Sequence, residues 1–289
     1  MPQEVSRDLF IEDLIIASLN SIELLPLAYY KPGGLALTLY IHSEDEYCYS
    51  CPWREYYGSK RSFNLVNLSL PKLIKRYNEL RPDLLFFSGG NYLEKSSSAP
   101  VLKSLRDQGI PVGTKHNIDK PIPGGDILKL LDALLLEVRV FTDLKKLSDF
   151  LDHANKNAYY TEILVDEIPE ETSKRILFTA WVRNLCRVIK RNVIAFYMAD
   201  KPDDFIENYM SLLQRFCENR FYIIASHQKF LPDTINCLSC GLQIGVRIDG
   251  VVVKRSVDTY YCPRCGARVF YGEFPRRALK RAVFTKIFI

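Results

Sequence analysis

The sequence lacks the features that mark a secreted, membrane-spanning or nucleic-acid-coating protein. Apolar runs such as residues 133–136 are far too short to cross a bilayer. Residues 1–5 contain no basic segment followed by an apolar stretch, so no secretory signal is predicted. The formal net charge of +5 is mildly basic and falls short of the excess expected of a chain that coats nucleic acid. We therefore expect a cytoplasmic protein with no membrane partner.

Common catalytic and nucleotide-binding motifs are also absent. The chain has no Gly-x-x-x-x-Gly-Lys-Ser/Thr phosphate-binding loop and no Gly-x-Gly-x-x-Gly dinucleotide fingerprint. It has neither a Gly-x-Ser-x-Gly nucleophile elbow nor a His-Glu-x-x-His metalloprotease pair. No segment repeats at a fixed period, which excludes a solenoid.

The amino-acid composition is that of an ordinary globular protein. Its 289 residues suffice for one large domain with a small appendage, and 47% of them are apolar while 25% are charged. Six of the eight cysteines form Cys-x-x-Cys pairs, a spacing that in a long, unsecreted chain favours metal binding in a reducing cytosol over disulfides. Cys186 and Cys217, which lie outside these pairs, fall on apolar helix faces and are expected to be core thiols.

Hydrophobic periodicity predicts an α/β architecture with about six strand–helix repeats. An amphipathic helix is expected over residues 7–19, after which Pro26, Pro32 and Gly33 break the chain. Strands are predicted over residues 35–41, 84–87, 110–114, 134–140, 159–165, 193–198 and 221–225, and helices over 70–80, 99–108, 126–131, 143–154, 170–190 and 203–217. This alternation implies parallel strands joined by helical crossovers, and six units favour a partial (βα)6 TIM-like barrel. The predicted domains are an N-terminal helical extension (1–33), the partial barrel (34–230) and a small C-terminal module (231–289).

Polar residues collect where the predicted parallel strands end, which is where ligands bind in such sheets. They are His42, Ser43, Glu44, Ser88, Gly89, Gly90, Asn91, Lys115, His116, Asn117, Asp166, Glu167 and Asp200.

The loop after the first parallel strand adds Cys48 and Cys51. Two thiolates do not complete a metal site, and a [4Fe–4S] cluster that also binds a substrate or cofactor needs three protein ligands. Three interpretations stay open for the pair: no metal, part of an iron–sulfur site, or a mononuclear zinc site completed by His42 or Glu44. His116 could also reach this loop, although a hydrogen-bonded structural role is the simpler expectation for each histidine.

The run from Gly34 to Cys51 resembles the opening of radical S-adenosylmethionine enzymes, and among these the pyruvate formate-lyase activating enzyme group. That family has Cys-x3-Cys-x2-Cys at this place, and the three cysteine positions hold Glu44, Cys48 and Cys51 here. The segment Ser88–Asn91 is similar to the family's Gly-Gly-Glu-Pro motif, with asparagine at the glutamate position. The resemblance in order and spacing extends over about residues 34–228.

The resemblance implies that Ser88, Gly89, Gly90 and Asn91 line an S-adenosylmethionine site, and that Glu44, Cys48 and Cys51 hold a [4Fe–4S] cluster or a second metal. Both departures weaken this chemistry, because a carboxylate is a harder iron ligand than a thiolate and Asn91 offers no charge to an ammonium group. We favour a descendant with lost or altered chemistry that acts as a zinc-containing binding or assembly protein. The alternative is an active radical enzyme with an atypical Cys48/Cys51-bound cluster that abstracts hydrogen from a glycyl or small-molecule substrate.

Four C-terminal cysteines predict a structural zinc ion in a zinc ribbon. Cys237 and Cys240 form one knuckle and Cys262 and Cys265 the other, and each knuckle is followed by glycine, which permits the backbone turn. Strands are predicted over residues 242–246, 251–257 and 269–271 around a hairpin at 249–250. An auxiliary iron–sulfur cluster is the alternative for these ligands.

The tail over residues 275–286 is basic with interleaved apolar residues. One interpretation is a contact with RNA, DNA or an acidic partner, made together with the ribbon. The other is a solvated helix face or a terminal strand.

Overall fold

The protein is described by a computed structural model that covers residues 9–42, 64–166, 168–225, 230–248, 251–255, 259–275, 279 and 281–287. Its main unit is a mixed sheet flanked by helices. The strands are β1 (Phe10–Ser21), β2 (Leu35–Ile41), β3 (Val66–Ser69), β4 (Leu84–Gly89), β5 (Val112–Asn117), β6 (Ala133–Arg139), β7 (Thr161–Asp166), β8 (Ile194–Tyr197), β9 (Phe221–Ile224), β10 (Phe230–Leu231) and β14 (Phe284–Ile287). The α-helices are α1 (Leu70–Leu80), α2 (Ser98–Asp107), α3 (Gly125–Leu128), α4 (Leu144–Asn157), α5 (Thr172–Val188) and α6 (Asp203–Cys217).

Neighbouring strands from β2 through β4, β5, β6, β7 and β8 to β9 run parallel and in chain order. In the described part of the chain, each successive pair is joined by a crossover with one α-helix, as parallel pairing requires a long connection. Hydrophobic residues of all these helices share one core with the sheet, so the helices cover a single face. The predicted α/β class with its strand–helix alternation is confirmed, and the described strands do not close on one another into a barrel.

Helix bounds follow from local signals in the sequence. In α1 the buried residues Leu70, Leu73, Ile74 and Tyr77 recur at helical spacing, and a proline occupies the first turn, where no intrahelical N–H is lost. In α4 the Asp143 carboxylate accepts a hydrogen bond from the Lys145 N–H at 2.9 Å and caps the helix. The predicted bounds of α1 are confirmed residue for residue, whereas α4 extends three residues beyond the predicted end at residue 154.

The helix predicted over residues 7–19 is wrong, because residues 10–19 of this segment belong to the long strand β1. It pairs antiparallel with β2, β3 and β14. Its buried residues Ile11, Leu14 and Ala17 recur every third residue because a bulge interrupts the pairing, with Asp13 at φ 55°. The extra residue shifts the alternation between the two sheet faces and imitates a helical period. The N-terminal extension is therefore part of the sheet.

The C-terminal module packs on the sheet face that the helices leave uncovered. Its strands β11 (Thr234–Asn236), β12 (Gln243–Ile248) and β13 (Val251–Arg255) form an antiparallel sheet. The third strand predicted at 269–271 is wrong, since Tyr271 makes only an isolated bridge with Tyr30, and β11 takes its place. The predicted hairpin tip at 249–250 lies outside the described residues.

One core joins the module to the sheet. Phe86, Leu135 and Leu164 of the sheet, Ile244 of β12 and Phe270 belong to a single cluster of buried hydrophobic residues. At the other end of the sheet, part of the basic tail forms the edge strand β14 against β1. Residues 276–278 and 280 of the tail lie outside the described residues.

Cys186 and Cys217 are both buried, as predicted, between α5 and α6. They are paired as a disulfide with Cα atoms 5.0 Å apart, so the prediction that both are free thiols is wrong. Among the described residues, no helix combines the length and the apolar character that crossing a bilayer would need.

Candidate functional site

The sheet face opposite the helices changes from mainly apolar to polar side chains along the parallel strands. Side chains two residues apart on a strand lie on the same face of the sheet, so Ser88 of β4 shares a face with Phe86. The pairing register between β5 and β6 places Lys115 directly beside Leu135. Glu137, two residues beyond Leu135, follows on the same face. The N-terminal half of this face is therefore apolar and covered by the module, whereas the C-terminal half is polar. We call the C-terminal half the polar end of the sheet.

A buried ion pair lies at the centre of the polar end. The Lys115 Nζ is 2.7 Å from Glu137 Oε2, and the two side chains are only 3% and 6% exposed. The other carboxylate oxygen of Glu137, Oε1, is buried without a hydrogen-bond partner among the described residues. A buried charged group is stable when its polar atoms are hydrogen-bonded. Glu137 Oε1 can therefore accept a hydrogen bond from a bound ligand.

A hydrogen-bond network extends the polar end onto the antiparallel strand β1. The Asn20 amide donates to Thr38 Oγ1 at 3.0 Å and to the Tyr40 hydroxyl at 3.1 Å. Its oxygen accepts from the Ser18 hydroxyl at 2.9 Å. Sequence reasoning missed Asn20 because it placed Ser18 in a helix that ended at residue 19, and the alternation of Ser18 with Asn20 was the available signal.

The four residues predicted to line a cofactor lie together at the end of β4. Gly89 has a φ of 86°, a conformation that favours glycine, and the Gly90 N–H donates to the Ile41 carbonyl at 2.7 Å. Ser88 and Asn91 are buried. Both polar atoms of the Asn91 amide are enclosed without a hydrogen-bond partner in the described part of the chain. Their role in cofactor binding stays a prediction.

The other predicted strand-end residues divide between the two faces. Asn117 reaches the polar end, where its side-chain oxygen accepts from the Asp119 N–H at 2.8 Å, and Asp166 is buried at the end of β7. His116 points to the helices and stacks on Phe150 with ring centroids 5.3 Å apart, where burial lowers its pKa to about 4. Its predicted reach to Cys48 and Cys51 stays a prediction, because that loop lies outside the described residues.

Of the remaining predicted strand-end and loop residues, Asp200 is described by the structure and five others are not. Asp200 is half-exposed and pairs with Lys201 at 3.2 Å. Ser43, Glu44, Cys48, Cys51 and Glu167 lie outside the described residues. The ligation of a cluster or second metal by Glu44, Cys48 and Cys51 stays a prediction, and His42 is the last described residue before them.

The four C-terminal cysteines converge on one point, as predicted. The sulfur atoms of Cys237, Cys240, Cys262 and Cys265 all lie within 4.8 Å of one another. The Cys237 and Cys265 sulfurs are 3.6 Å apart, and so are those of Cys240 and Cys262. This group can hold a metal ion.

Both knuckles have the same backbone geometry. The N–H groups of Gly241 and Gly266 donate to the carbonyls of Cys237 and Cys262 at 2.9 and 2.8 Å. Both glycines have a φ near 70°, and a Cβ on Gly241 would lie 2.8 Å from the Asn219 side chain.

The surroundings act differently on the thiols: burial raises the pKa of Cys237 to about 12, whereas ionisation of Cys262 is favoured. Burial opposes ionisation of the Cys262 thiol, but the N–H groups of Cys265 and Arg264 lower its pKa to about 7.

Buried charges also lie between the module and the sheet, and sequence reasoning missed them. The Tyr160 hydroxyl donates to Glu162 Oε2 at 2.6 Å, and the Ala28 N–H donates to Oε1 at 3.3 Å. Glu23 Oε1 accepts from the N–H groups of Gly33 at 2.6 Å and of Val252 in β13 at 3.2 Å. Burial raises the pKa of each carboxyl group to about 7.

Arg247 of β12 brings a positive charge to the same interface. Its guanidinium lies 5.1 Å from the centre of the Tyr222 ring, and its side chain is 3% exposed. Its charge partly offsets the burial of Glu23 and Glu162 and favours their ionised forms.

Comparison with known proteins does not assign the chain to a family. No protein-family profile matches the chain, and no curated protein sequence matches it. A solved structure described as "PhdJ bound to substrate intermediate" aligns at 16% identity and a TM-score of 0.31. The aligned part covers 55% of this chain and 53% of that chain, about half of each. A TM-score this low carries no argument about fold or function.

Proposed function

We propose that this chain is a radical S-adenosylmethionine-like protein with an incomplete (βα)6 barrel, in which the cluster chemistry is lost or altered and ligand binding is retained. The observation that carries this proposal is Asn91. Its amide is buried at the end of β4 beside a positive-φ glycine, and neither polar atom has a partner among the described residues. Leaving such a group unsatisfied costs about 1–3 kcal/mol, which a bound ligand would recover.

The donor set argues against full radical chemistry. A cluster that leaves one iron open for S-adenosylmethionine needs three protein ligands, and the segment that resembles the family's cluster loop offers Cys48, Cys51 and the harder ligand Glu44. An asparagine at position 91 can donate and accept hydrogen bonds but gives no charge assistance to an ammonium group. These residues suit a binding role better than reductive cleavage.

The C-terminal cysteines fit a zinc ion better than an iron–sulfur cluster. A tetrahedral site with Zn–S bonds of about 2.3 Å sets the sulfurs about 3.8 Å apart. The two closest pairs are 3.6 Å apart and all four sulfurs lie within 4.8 Å, which leaves no room for a four-iron core between them. Four thiolates leave no open position on the metal, so we assign this zinc a structural role.

We further propose that the exposed side of the ribbon and the basic tail form the contact surface for a protein or nucleic-acid partner. Cys265 and Arg264 are exposed, whereas Cys237 and Cys262 face the sheet and are buried. The inner side of the ribbon is thus already used within the chain, which leaves its outer side for a partner.

Metal analysis and ligand binding test the proposal together. We expect protein purified without oxygen, and then treated with iron and sulfide, to contain one zinc and no firmly bound four-iron cluster. S-adenosylmethionine should bind in equilibrium dialysis, and Asn91→Ala should weaken binding about ten-fold. Asn155→Ala, at an exposed position of α4, is the matched control and should bind as the unmodified chain does.

Two results would count against the proposal. A protein-bound four-iron cluster whose spin-resonance spectrum changes on adding S-adenosylmethionine would indicate an active radical enzyme. No binding of S-adenosylmethionine by either the unmodified chain or the control variant would remove the ligand-binding role.

A further inference from the structure

A groove between α5 and α6 brings three arginine side chains together. Arg183 and Arg187, one turn apart on α5, and Arg215 with Phe216 on α6 line a cavity of about 420 Å³. All three arginines are exposed. In the part of the chain that the structure describes, none of them forms an ion pair with a carboxylate. Three like charges gathered without a counter-charge repel one another, so an anionic partner would stabilise this arrangement.

All charged residues of α5 are positive. Residues 172–191 contain six lysines and arginines and no aspartate or glutamate. Two of the six have partners within the chain, since Lys174 pairs with Glu171 at 3.0 Å and Arg175 lies over the Phe205 ring at 5.9 Å. Of the remaining four, which are all exposed, Arg183 and Arg187 line the groove, and Lys190 and Arg191 follow the end of α5.

An aliphatic patch continues the groove along the same helix. Ile176 and Leu177 are 79% and 62% exposed, the two largest exposures among the large hydrophobic residues of the described chain. Ile176 precedes Arg183 and Arg187 by seven and eleven residues, which at 3.6 residues per turn sets all three on one stripe of α5. A stripe that is aliphatic at one end and cationic at the other matches a partner with both characters.

A nucleic acid fits this stripe poorly. Crossovers between parallel strands run side by side in the same direction, so the first turns of α6 lie beside the Ile176 end of α5. Those turns expose Asp203, Asp204 and Glu207, which would repel a polyanion that continued past the groove. Aliphatic side chains also offer no stacking surface to a base.

We propose that the groove between α5 and α6 binds a short acidic segment of a partner protein. Carboxylates of that segment contact Arg183, Arg187 and Arg215, and an aliphatic side chain of it packs on Ile176 and Leu177. Arginine suits this role because its planar guanidinium binds a carboxylate through two parallel hydrogen bonds. This surface is distinct from the ribbon and tail and does not depend on the chemistry of the polar end.

A defined peptide tests the proposal with the full-length chain. The probe is a fluorescently labelled helical peptide with two glutamates four residues apart and two leucines two turns away. Anisotropy titrations compare it with the same peptide carrying glutamine for glutamate. The protein variants are Arg183→Glu/Arg187→Glu, Ile176→Ser/Leu177→Ser and, as a control of equal charge change, Lys103→Glu/Arg106→Glu on α2. Circular dichroism and thermal unfolding establish that each variant is folded.

We expect the acidic peptide to bind and the affinity to weaken at elevated salt. Arg183→Glu/Arg187→Glu and the glutamine peptide should each reduce affinity about ten-fold or more, while the α2 control changes it less than about two-fold. Three results would overturn the proposal: no binding of the acidic peptide, an equal loss in the control variant, or tighter binding of single-stranded RNA that depends on the same arginines.

Discussion

Lys115 and Glu137 are side chains from neighbouring strands whose charges are almost completely enclosed at the polar end. We expect Glu137→Ala to lower the free energy of unfolding by about 3–5 kcal/mol, because the Lys115 ammonium would stay buried without this carboxylate. Replacing both residues together by methionine and leucine should cost much less, since no uncompensated charge is left. Urea unfolding followed by circular dichroism measures the difference.

A solvent-exposed ion pair serves as the control for the Glu137→Ala variant. Lys145 and Asp149 lie 2.8 Å apart on α4, with side chains 81% and 59% exposed. Lys145→Ala should change the free energy of unfolding by no more than about 0.5 kcal/mol. If Glu137→Ala costs as little as this control, the polar end is open to water.

Glu162 makes the stability of the protein depend on pH. Burial raises its pKa in the folded state to about 7 from 4.5, while Tyr160, the Ala28 N–H, Tyr222 and Arg247 act in the opposite direction. A carboxyl group with a raised folded pKa contributes its full stability below pH 4.5 and loses it as the pH rises through about 7. The difference between a pKa of 4.5 and one of about 7 corresponds to at most about 3.4 kcal/mol.

We therefore expect Glu162→Gln to flatten the dependence of stability on pH between about 4.5 and 7. Relative to the unmodified chain, the variant should gain stability at pH 8 compared with pH 5, because glutamine does not ionise. Thermal unfolding at both pH values measures this, with Glu171→Gln on the surface as the control. Parallel pH profiles for the variant and the unmodified chain would show that Glu162 does not titrate in this range.

Single residues at the polar end were predictable only in part. Ser88, Asn91, Lys115 and Asn117 stand at the ends of predictable strands, so their place in the chain pointed to the site. Glu137 lies inside a strand, and only the pairing register places it beside Lys115.

At the scale of the element, β1 depends on its bulge. Asp13 has a φ of 55°, its N–H donates to Asn67 Oδ1 at 3.3 Å, and its carboxylate pairs with Lys95. We expect Asp13→Val to lower the free energy of unfolding by about 1–2 kcal/mol, because a β-branched side chain is strained at positive φ. Asp13→Asn should cost less than Asp13→Val, since asparagine tolerates this conformation and only the partly buried ion pair with Lys95 is lost.

Urea unfolding of the two variants measures this difference. Equal effects of valine and asparagine would mean that the backbone conformation at residue 13 is not what limits the strand. The bulge is also the reason that β1 was mistaken for a helix, while α1, α4 and α6 were predictable because no irregularity disturbs their periodicity.

At the scale of the whole molecule, the module and the sheet share one core. Cys237 and Cys262 are buried in the same cluster as Phe86, Leu135 and Leu164. Losing the metal should therefore disturb the sheet as well as the ribbon, because the module covers the apolar half of the sheet face. We therefore expect a metal held by the four cysteines to stabilise the sheet as well as the module.

We expect Cys265→Ala to abolish retention of zinc and to lower the midpoint of thermal unfolding by about 5 °C or more. Binding of a hydrophobic dye should rise as the sheet face becomes exposed. Ser239→Ala, inside the first knuckle but not a ligand, is the control and should keep both the metal and the melting temperature. Loss of zinc with an unchanged melting temperature and no dye binding would mean that the module folds independently of the sheet.

The sequence by itself determined the α/β class, the order of the seven parallel strands and their α-helices, and the pairing of the two cysteine knuckles, because these depend on short-range periodicity and spacing. The tertiary structure alone decided that the module covers half of one sheet face, that Glu23, Glu162 and Arg247 are buried there, and that Glu137 reaches Lys115. These contacts join residues far apart in the chain, and their energies depend on pairing register and burial, which local patterns do not encode.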